Sequence, residues 1–265
     1  MSAQDLSKMG AANVALVVDE QGQRFIEKYP VSDVEYAFYQ HAAYRLNAAK
    51  IASPTLLFAD PAQHLLRLEY IPHPVSQDAV ASDEVLAMLA RLHRFAPDAA
   101  WHYHTHTWSV SALEKSLALL ALPEQASQQL RCFQQCSAVL FRHPGLISGD
   151  SNAGNWGRRE NGELGLFDWE RFSVGSPAID LAPLIKGMGT THAFHALAER
   201  YCRIAGHATP HDLGREIAIA KAWIVTEVVI LLAERQKTDL LRYLDWYREH
   251  LAGWLDSTIT LLRSR

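Results

Sequence analysis

Cysteine is scarce. The chain has three in 265 residues, an odd number, with Cys132 and Cys136 one helical turn apart and Cys202 distant. That count favours reduced thiols in a cytoplasm over a disulfide framework or a cysteine-built metal site. Positive charge is not in excess either. Twenty-five Lys and Arg stand against 29 Asp and Glu, a net charge of −4, so there is no electrostatic case for nucleic acid as the main partner. No apolar run approaches the roughly 18–20 residues of a membrane span. The most apolar stretch, residues 222–233, is interrupted by Thr226 and Glu227. The N-terminus lacks a basic region followed by an apolar one, so no signal peptide is expected. Internal repeats and low-complexity segments are missing as well. What remains is a cytoplasmic protein of one or two compact lobes, with no membrane and no nucleic acid among its partners and an open oligomeric state.

The most informative positive feature is the stretch 146–156, Leu-Ile-Ser-Gly-Asp-Ser-Asn-Ala-Gly-Asn-Trp, followed by Leu164-Gly165-Leu166-Phe167-Asp168-Trp169-Glu170. It reads as a strand end, a short loop and a second strand that ends in an acid. A hairpin-like turn, Glu160-Asn161-Gly162-Glu163, lies between the two. Asp150 and Asn155 sit five apart, and Asp168 follows thirteen residues later. Asp, Asn and Gly also favour turns for backbone reasons alone. An Asp, an amide and a second Asp brought together by strand ends are nevertheless what a magnesium-dependent phosphoryl transfer needs. One carboxylate takes the acceptor's hydroxyl proton, and the amide oxygen and the other carboxylate hold metal on the nucleotide phosphates.

This segment resembles the catalytic loop and metal-binding acid of the aminoglycoside phosphotransferase and choline kinase-like family, which shares the protein-kinase fold. The family pattern is His-Gly-Asp, four residues, Asn, then a hydrophobic strand ending in Asp. The chain has Ser148-Gly149-Asp150, four residues, Asn155, and Leu166-Phe167-Asp168. Ser148 stands where the family has a His that supports the loop backbone, so the departure removes no reacting group. The resemblance implies Asp150 as catalytic base and Asn155 and Asp168 as magnesium ligands.

Residues 14–19 and 24–29 are β-rich and joined by Glu20-Gln21-Gly22-Gln23, which predicts an antiparallel hairpin. Before it, residues 8–13 form a small-residue loop with one glycine, Gly10. By resemblance this loop covers the nucleotide phosphates. Only a short tail precedes it, so the family's first strand is expected truncated or poorly formed. Lys28 lies on the second strand, where the family lysine bridges the α- and β-phosphates and pairs with a helical glutamate. A solvated strand-end lysine is the alternative. Ser32 or Asp33 caps a predicted helix with Val34, Phe38, Ala42 and Tyr44/Arg45 at helical spacing, and Glu35 is in its first turn. Glu35 is thus either the lysine's partner or an N-terminal acid favoured by the helix dipole. Residues 55–59 and 64–71 predict two more strands. Glu69, Tyr70 and Ile71 resemble the hinge whose backbone receives the adenine edge, and a plain core strand is the other reading.

Residues 82–95 predict an amphipathic helix, and its Leu89-Ala90-Arg91-Leu92-His93 resembles the end of the corresponding family helix, which makes His93 structural. Helices over about 111–120 and 125–141 lead to the catalytic loop. In the run 175–182, Asp180 matches the family acid that braces that loop. Glu170 faces metal or solvent. His102, His104 and His106 alternate and would share one side of a strand, a geometry that can bind zinc, but a surface loop or strand edge is the favoured reading. Trp223, Tyr243, Trp246, Tyr247 and Trp254 suit helix packing. Alternatively they form an acceptor pocket in which ring faces, with Glu227 or Asp245, hold a cationic group.

The expectation is an α+β, two-lobed protein-kinase-like fold. Residues 1–71 form a small antiparallel nucleotide-binding lobe ending in the hinge strand, and residues 72–265 a larger, mainly helical lobe with the catalytic loop and acceptor site. The implied activity is ATP-dependent transfer of phosphate to a hydroxyl of a small molecule. ATP and Mg²⁺ are the cofactors, Ser148 and Asp180 support the site, and Lys28, Glu35, Gly10, Glu69, Tyr70 and Ile71 hold the nucleotide. A nucleotide-binding regulatory protein and a kinase acting on protein are the alternatives.

Overall fold

The computed structural model describes residues 2–5, 12–206, 209–236 and 239–262. Gly10, and with it most of the small-residue loop, lies outside the described residues. Residue–residue contacts divide the chain into two compact units, Met1–Thr105 with Gly145–Val174, and His106–Pro144 with Gly175–Arg265.

In the first unit, β1 (Ser2–Asp5), β2 (Asn13–Val18), β3 (Arg24–Tyr29), β4 (Leu56–Asp60) and β5 (Leu65–Glu69) form an antiparallel sheet in the order β1-β2-β3-β5-β4. The first strand is therefore formed, four residues long and paired with β2 from Ser2↔Val18 to Asp5↔Ala15. The β2–β3 hairpin closes on Asp19, whose carboxylate accepts from the backbone N–H groups of Gln21 and Gln23. Gly22, with φ +79°, takes the left-handed position of that turn.

A helical segment follows as α1 (Asp33–Ala37), a π turn (Phe38–Ala42) and α2 (Ala43–Ala48), with Ser32 Oγ capping Glu35 N–H. Its buried face is Glu35, Ala37, Phe38, Tyr39, Ala42, Ala43 and Leu46. Tyr44, placed on the apolar face by its spacing, is exposed instead. The wide π turn breaks the 3.6-residue period on which that reading rested. β6 (His73–Pro74), β8 (Trp156–Arg158) and β9 (Leu164–Leu166) make a three-stranded sheet, and β7 (Leu146–Ile147) pairs with β10 (Ser173–Val174). Between them in sequence, α3 (Asp83–Arg94) is capped by Ser82 and buries Val85, Leu86, Leu89 and Leu92. His93 is buried on the same helix.

The second unit holds α4 (Val110–Leu120), α5 (Glu124–Gln135), α6 (Ala138–Phe141), α7 (Ala178–Leu181), α8 (Thr191–Ala205), α9 (Pro210–Glu234) and α10 (Leu240–Thr258). The sequence over 125–141 predicts one helix where there are two. Ser137 Oγ donates to the Gln134 carbonyl at 2.6 Å and diverts the backbone at Cys136. All six other helices pack on α9, which is apolar around most of its circumference, as a central helix must be. Lys221 on α9 is buried and donates to the carbonyls of Ala182 and Ile185 at 2.9 and 2.6 Å. Burial pulls its ammonium down to about 8. Among the described residues no helix is long and apolar enough to cross a membrane.

Most of the C-terminal aromatics fill this core. Trp223, Tyr247 and Trp254 are buried, with Trp223 against Phe141 and His106 and Trp254 against Phe133 and Phe194. Trp246 is the exposed member of the set. The three alternating histidines lie on no strand. His102 is exposed, His104 takes the Phe172 carbonyl through its backbone N–H at 2.8 Å, and His106 is buried on Trp223. No group of three His, Cys, Asp or Glu side chains able to hold a metal occurs among the described residues. All three cysteines are free thiols.

Candidate active site

The described residues expected to serve as base, metal ligands or nucleotide contacts all lie in the first unit, and Asp180 lies in the second. Lys28 projects from β3 into a buried position, and its Nζ lies 2.7 Å from Glu35 Oε2 and 2.7 Å from Asp168 Oδ1. It is no solvated strand-end lysine. Nor is Glu35 a merely surface acid of a helix N-terminus, because it is 1 % exposed. Burial alone would lower the Lys28 ammonium, but the charges of Glu35 and Asp168 outweigh it and hold the lysine charged, above its ordinary value. Burial pushes Glu35 above the usual carboxylate range against the pull of Lys28, and Asp168 and Glu170 add repulsion. Carboxylates outnumber the cation that serves them.

The loop after β7 is built by its own side chains. Gly149, with φ +80°, makes the turn between buried Ser148 and Asp150. Asn155 Nδ2 donates to the Asp150 carbonyl at 2.9 Å, which leaves its amide oxygen over as an acceptor. Asn152 Nδ2 donates to Asp150 Oδ1 at 2.7 Å, and Asn152 Oδ1 accepts from Gly154 N–H at 2.8 Å. Buried Trp156 ties the loop down from below through Nε1 to the Ser151 carbonyl at 2.9 Å. Asp150 is half-buried, and burial raises its carboxyl pKa. Asp168 nearby adds to the rise, while Asn152 and Arg171 work against it.

The turn between β8 and β9 forms as expected, with Gly162 N–H on the Arg159 carbonyl and φ +87°. Phe167 N–H donates to the Asn155 carbonyl at 3.0 Å, joining the strand that carries Asp168 to the loop that carries Asn155. Asp168 itself has φ +65°, an uncommon conformation for a non-glycine residue. The next residue is fixed in place: Trp169 stacks on Phe38 with centroids 4.2 Å apart, and its Nε1 bonds the Leu166 carbonyl.

Glu69 closes β5, and its side chain is taken. Arg159 grips it with two bonds of 2.6 and 2.9 Å, and Thr55 donates through N–H and Oγ1. Burial would raise this carboxyl, but Arg159 and Thr55 outweigh burial and hold it below its usual value. Among the described residues neither Tyr70 nor Ile71 spends a backbone group on another residue. Asp180, fully buried, sits on α7 in the second unit.

Asn152 and the two buried tryptophans escaped the sequence reading. Asn152 had a signal, since an amide two residues after an acid on a tight loop readily bonds that acid. Trp156 and Trp169 flank the polar residues in sequence, and nothing in spacing alone says that they anchor them.

Comparison with known proteins accords with this geometry. A model of a phosphotransferase enzyme family matches residues 7–217. Among solved structures, the gentamicin complex of APH(2")-IIa superposes with a TM-score of 0.66 at 17% identity, covering 96% of this chain and 93% of that one. The choline kinase LicA from Streptococcus pneumoniae gives a TM-score of 0.65 at 18% identity over 97% and 94%. A GDP and kanamycin complex of APH(2")-IIia gives 0.70 at 16% identity over 95% and 93%. Identities this low speak for the fold, a kinase-like α+β architecture with an antiparallel sheet lobe and a helical lobe. No curated protein sequence matches the chain. With most of its length matched by one family model, the chain belongs to the phosphotransferase enzyme family.

Proposed function

We propose that this phosphotransferase moves the γ-phosphate of ATP to a hydroxyl of a small molecule, with Asp150 as the base. The observation that carries the reading is Lys28 held at 2.7 Å from both Glu35 and Asp168, the latter 140 residues away in sequence. A structural ion pair has no need of a second carboxylate on a strained backbone. A site that must receive phosphates beside a metal does. Lys28 grips the phosphates and Glu35 orients it. Tyr70 and Ile71 offer backbone groups to the base, and Glu69 anchors that segment through Arg159. The Asn155 amide oxygen and the Asp168 carboxylate are hard oxygen donors in a cluster with surplus negative charge, which fits magnesium completed by phosphate oxygens. Neutralisation of phosphate charge is what the bound ion supplies. Asp150 orients the acceptor hydroxyl and takes its proton. Ser148 supports the loop, and Asp180 keeps a structural role rather than a metal-binding one. The acceptor is a hydroxyl compound of the aminoglycoside, choline-like or amino-sugar kind, and a screen of such alcohols for acceptor-dependent ADP release identifies it.

ATP with magnesium is expected to raise the melting temperature of the wild-type protein, and Asp168→Ala to lose most of that gain. Indifference of the wild type to both ATP and GTP with magnesium would sink the kinase reading. The raised pKa of Asp150 sets a second expectation. A base must be ionised to accept a proton, so turnover falls as pH drops through that pKa, on a limb displaced above the ordinary carboxylate range of about 4. A pH–rate profile with the identified acceptor checks this, and a flat rate down to pH 4 counts against Asp150 as the base.

A further inference from the structure

Gly157 and Gly165 face each other across the β8–β9 hairpin as a registered pair. Neither has a positive φ, so backbone freedom does not require glycine at either place. Glycine inside a strand weakens it and marks a close approach by another group. Here the group is Ile71. A Cβ at Gly157 would lie 2.9 Å from Ile71 Cγ2 and 3.2 Å from Phe167 Cε1. A Cβ at Gly165 would lie 2.7 Å from Ile71 Cδ1. Real Cβ contacts are not that short, so either methyl would force the Ile71 side chain to shift. The two glycines thus form a slot, and the side chain of the segment proposed to receive the nucleotide base is keyed into it.

Both walls of the slot continue into the site. Gly157 follows Asn155 by two residues, and Gly165 precedes Asp168 by three. Ile71 is one residue beyond Tyr70 and two beyond the anchored Glu69. We infer that Gly157, Gly165 and Ile71 are positioning residues that set the spacing between the base-receiving segment and the hairpin carrying Asn155 and Asp168, and so tune nucleotide affinity. The inference rests on the nucleotide reading above.

The geometry makes an atom-by-atom test possible. Titration of magnesium-ATP into the full-length protein, read by calorimetry, is expected to show Gly165→Ala binding about tenfold more weakly, since overpacking of this kind costs enough to displace one side chain. Ile71→Val removes Cδ1 and keeps Cγ2. Added to Gly165→Ala it should return affinity to within about threefold of wild type, because the overpacked atom is gone. Added to Gly157→Ala it should rescue nothing, because Cγ2 remains. Ile71→Ala alone, which leaves the slot empty and removes no buried hydrogen bond, should weaken binding several-fold and covers the case in which a glycine variant fails to fold. Wild-type affinity in folded Gly165→Ala overturns the inference while leaving the nucleotide reading intact. Equal rescue of both glycine variants by Ile71→Val overturns it too, since general loosening would then explain the effect. If the wild type binds no nucleotide, the reading beneath it falls and the inference with it.

Discussion

Asp150→Asn is expected to cut turnover by about 10²–10⁴-fold while magnesium-ATP affinity stays within a few-fold, since loss of a general base costs that much and the phosphates are gripped elsewhere. The split follows from placement. Asp150 lies on the loop after β7, half-buried, with one carboxylate oxygen held by Asn152. Lys28, Glu35 and Asp168 form a separate ion-pair group. The variant should also fold at least as firmly as the wild type. Burial raises the Asp150 pKa, so its ionisation opposes folding. The stability tied to its protonated form is present in full below the unfolded carboxylate pKa and lost as pH rises through the folded one. An asparagine removes that penalty at neutral pH. Single-turnover kinetics, ATP titration and thermal denaturation of the one variant separate the effects. Near-wild-type turnover with the true acceptor would remove Asp150 from the chemistry.

Lys28→Met is expected to be the most damaging single change to the fold of the sheet unit. It leaves Glu35, 1 % exposed, beside Asp168 with no cation between them. Removing one partner of a buried ion pair costs about 3–5 kcal/mol, most of it from the stranded charge. Urea denaturation of Lys28→Met should show a loss of that order, and magnesium-ATP should no longer stabilise the variant. Lys28→Met with Glu35→Gln tests the cause. If stranded charge is responsible, the double variant recovers much of the stability and none of the nucleotide binding. A double variant no more stable than Lys28→Met would mean that lost packing, not charge, governs the site.

The groups proposed to react were picked out of the chain by local spacing, because phosphoryl transfer draws on residues close to one another in sequence. The five-residue spacing from Asp150 to Asn155 is that of one loop, and Asp168 lies one hairpin further on. Turn chemistry at Gly22 and Gly162 and capping at Ser32 are also local, and those elements formed as read. The helix carrying Glu35 kept its existence and buried Phe38 and Ala42 as read but turned Tyr44 outward, because a π turn depends on what the helix packs against. The break at Ser137 turned on one side chain competing for a carbonyl. Spacing by itself determined the loop and the strand–turn–strand frame around it, since those depend on residues near one another in sequence, and the class of chemistry came from the resemblance that this frame carries. Tertiary structure alone decided that Lys28 meets Asp168, that Trp169 stacks on Phe38 beside a strained acid, and that Ile71 packs against two glycines. Each of these joins segments through side-chain volume and buried charge, which no local pattern records.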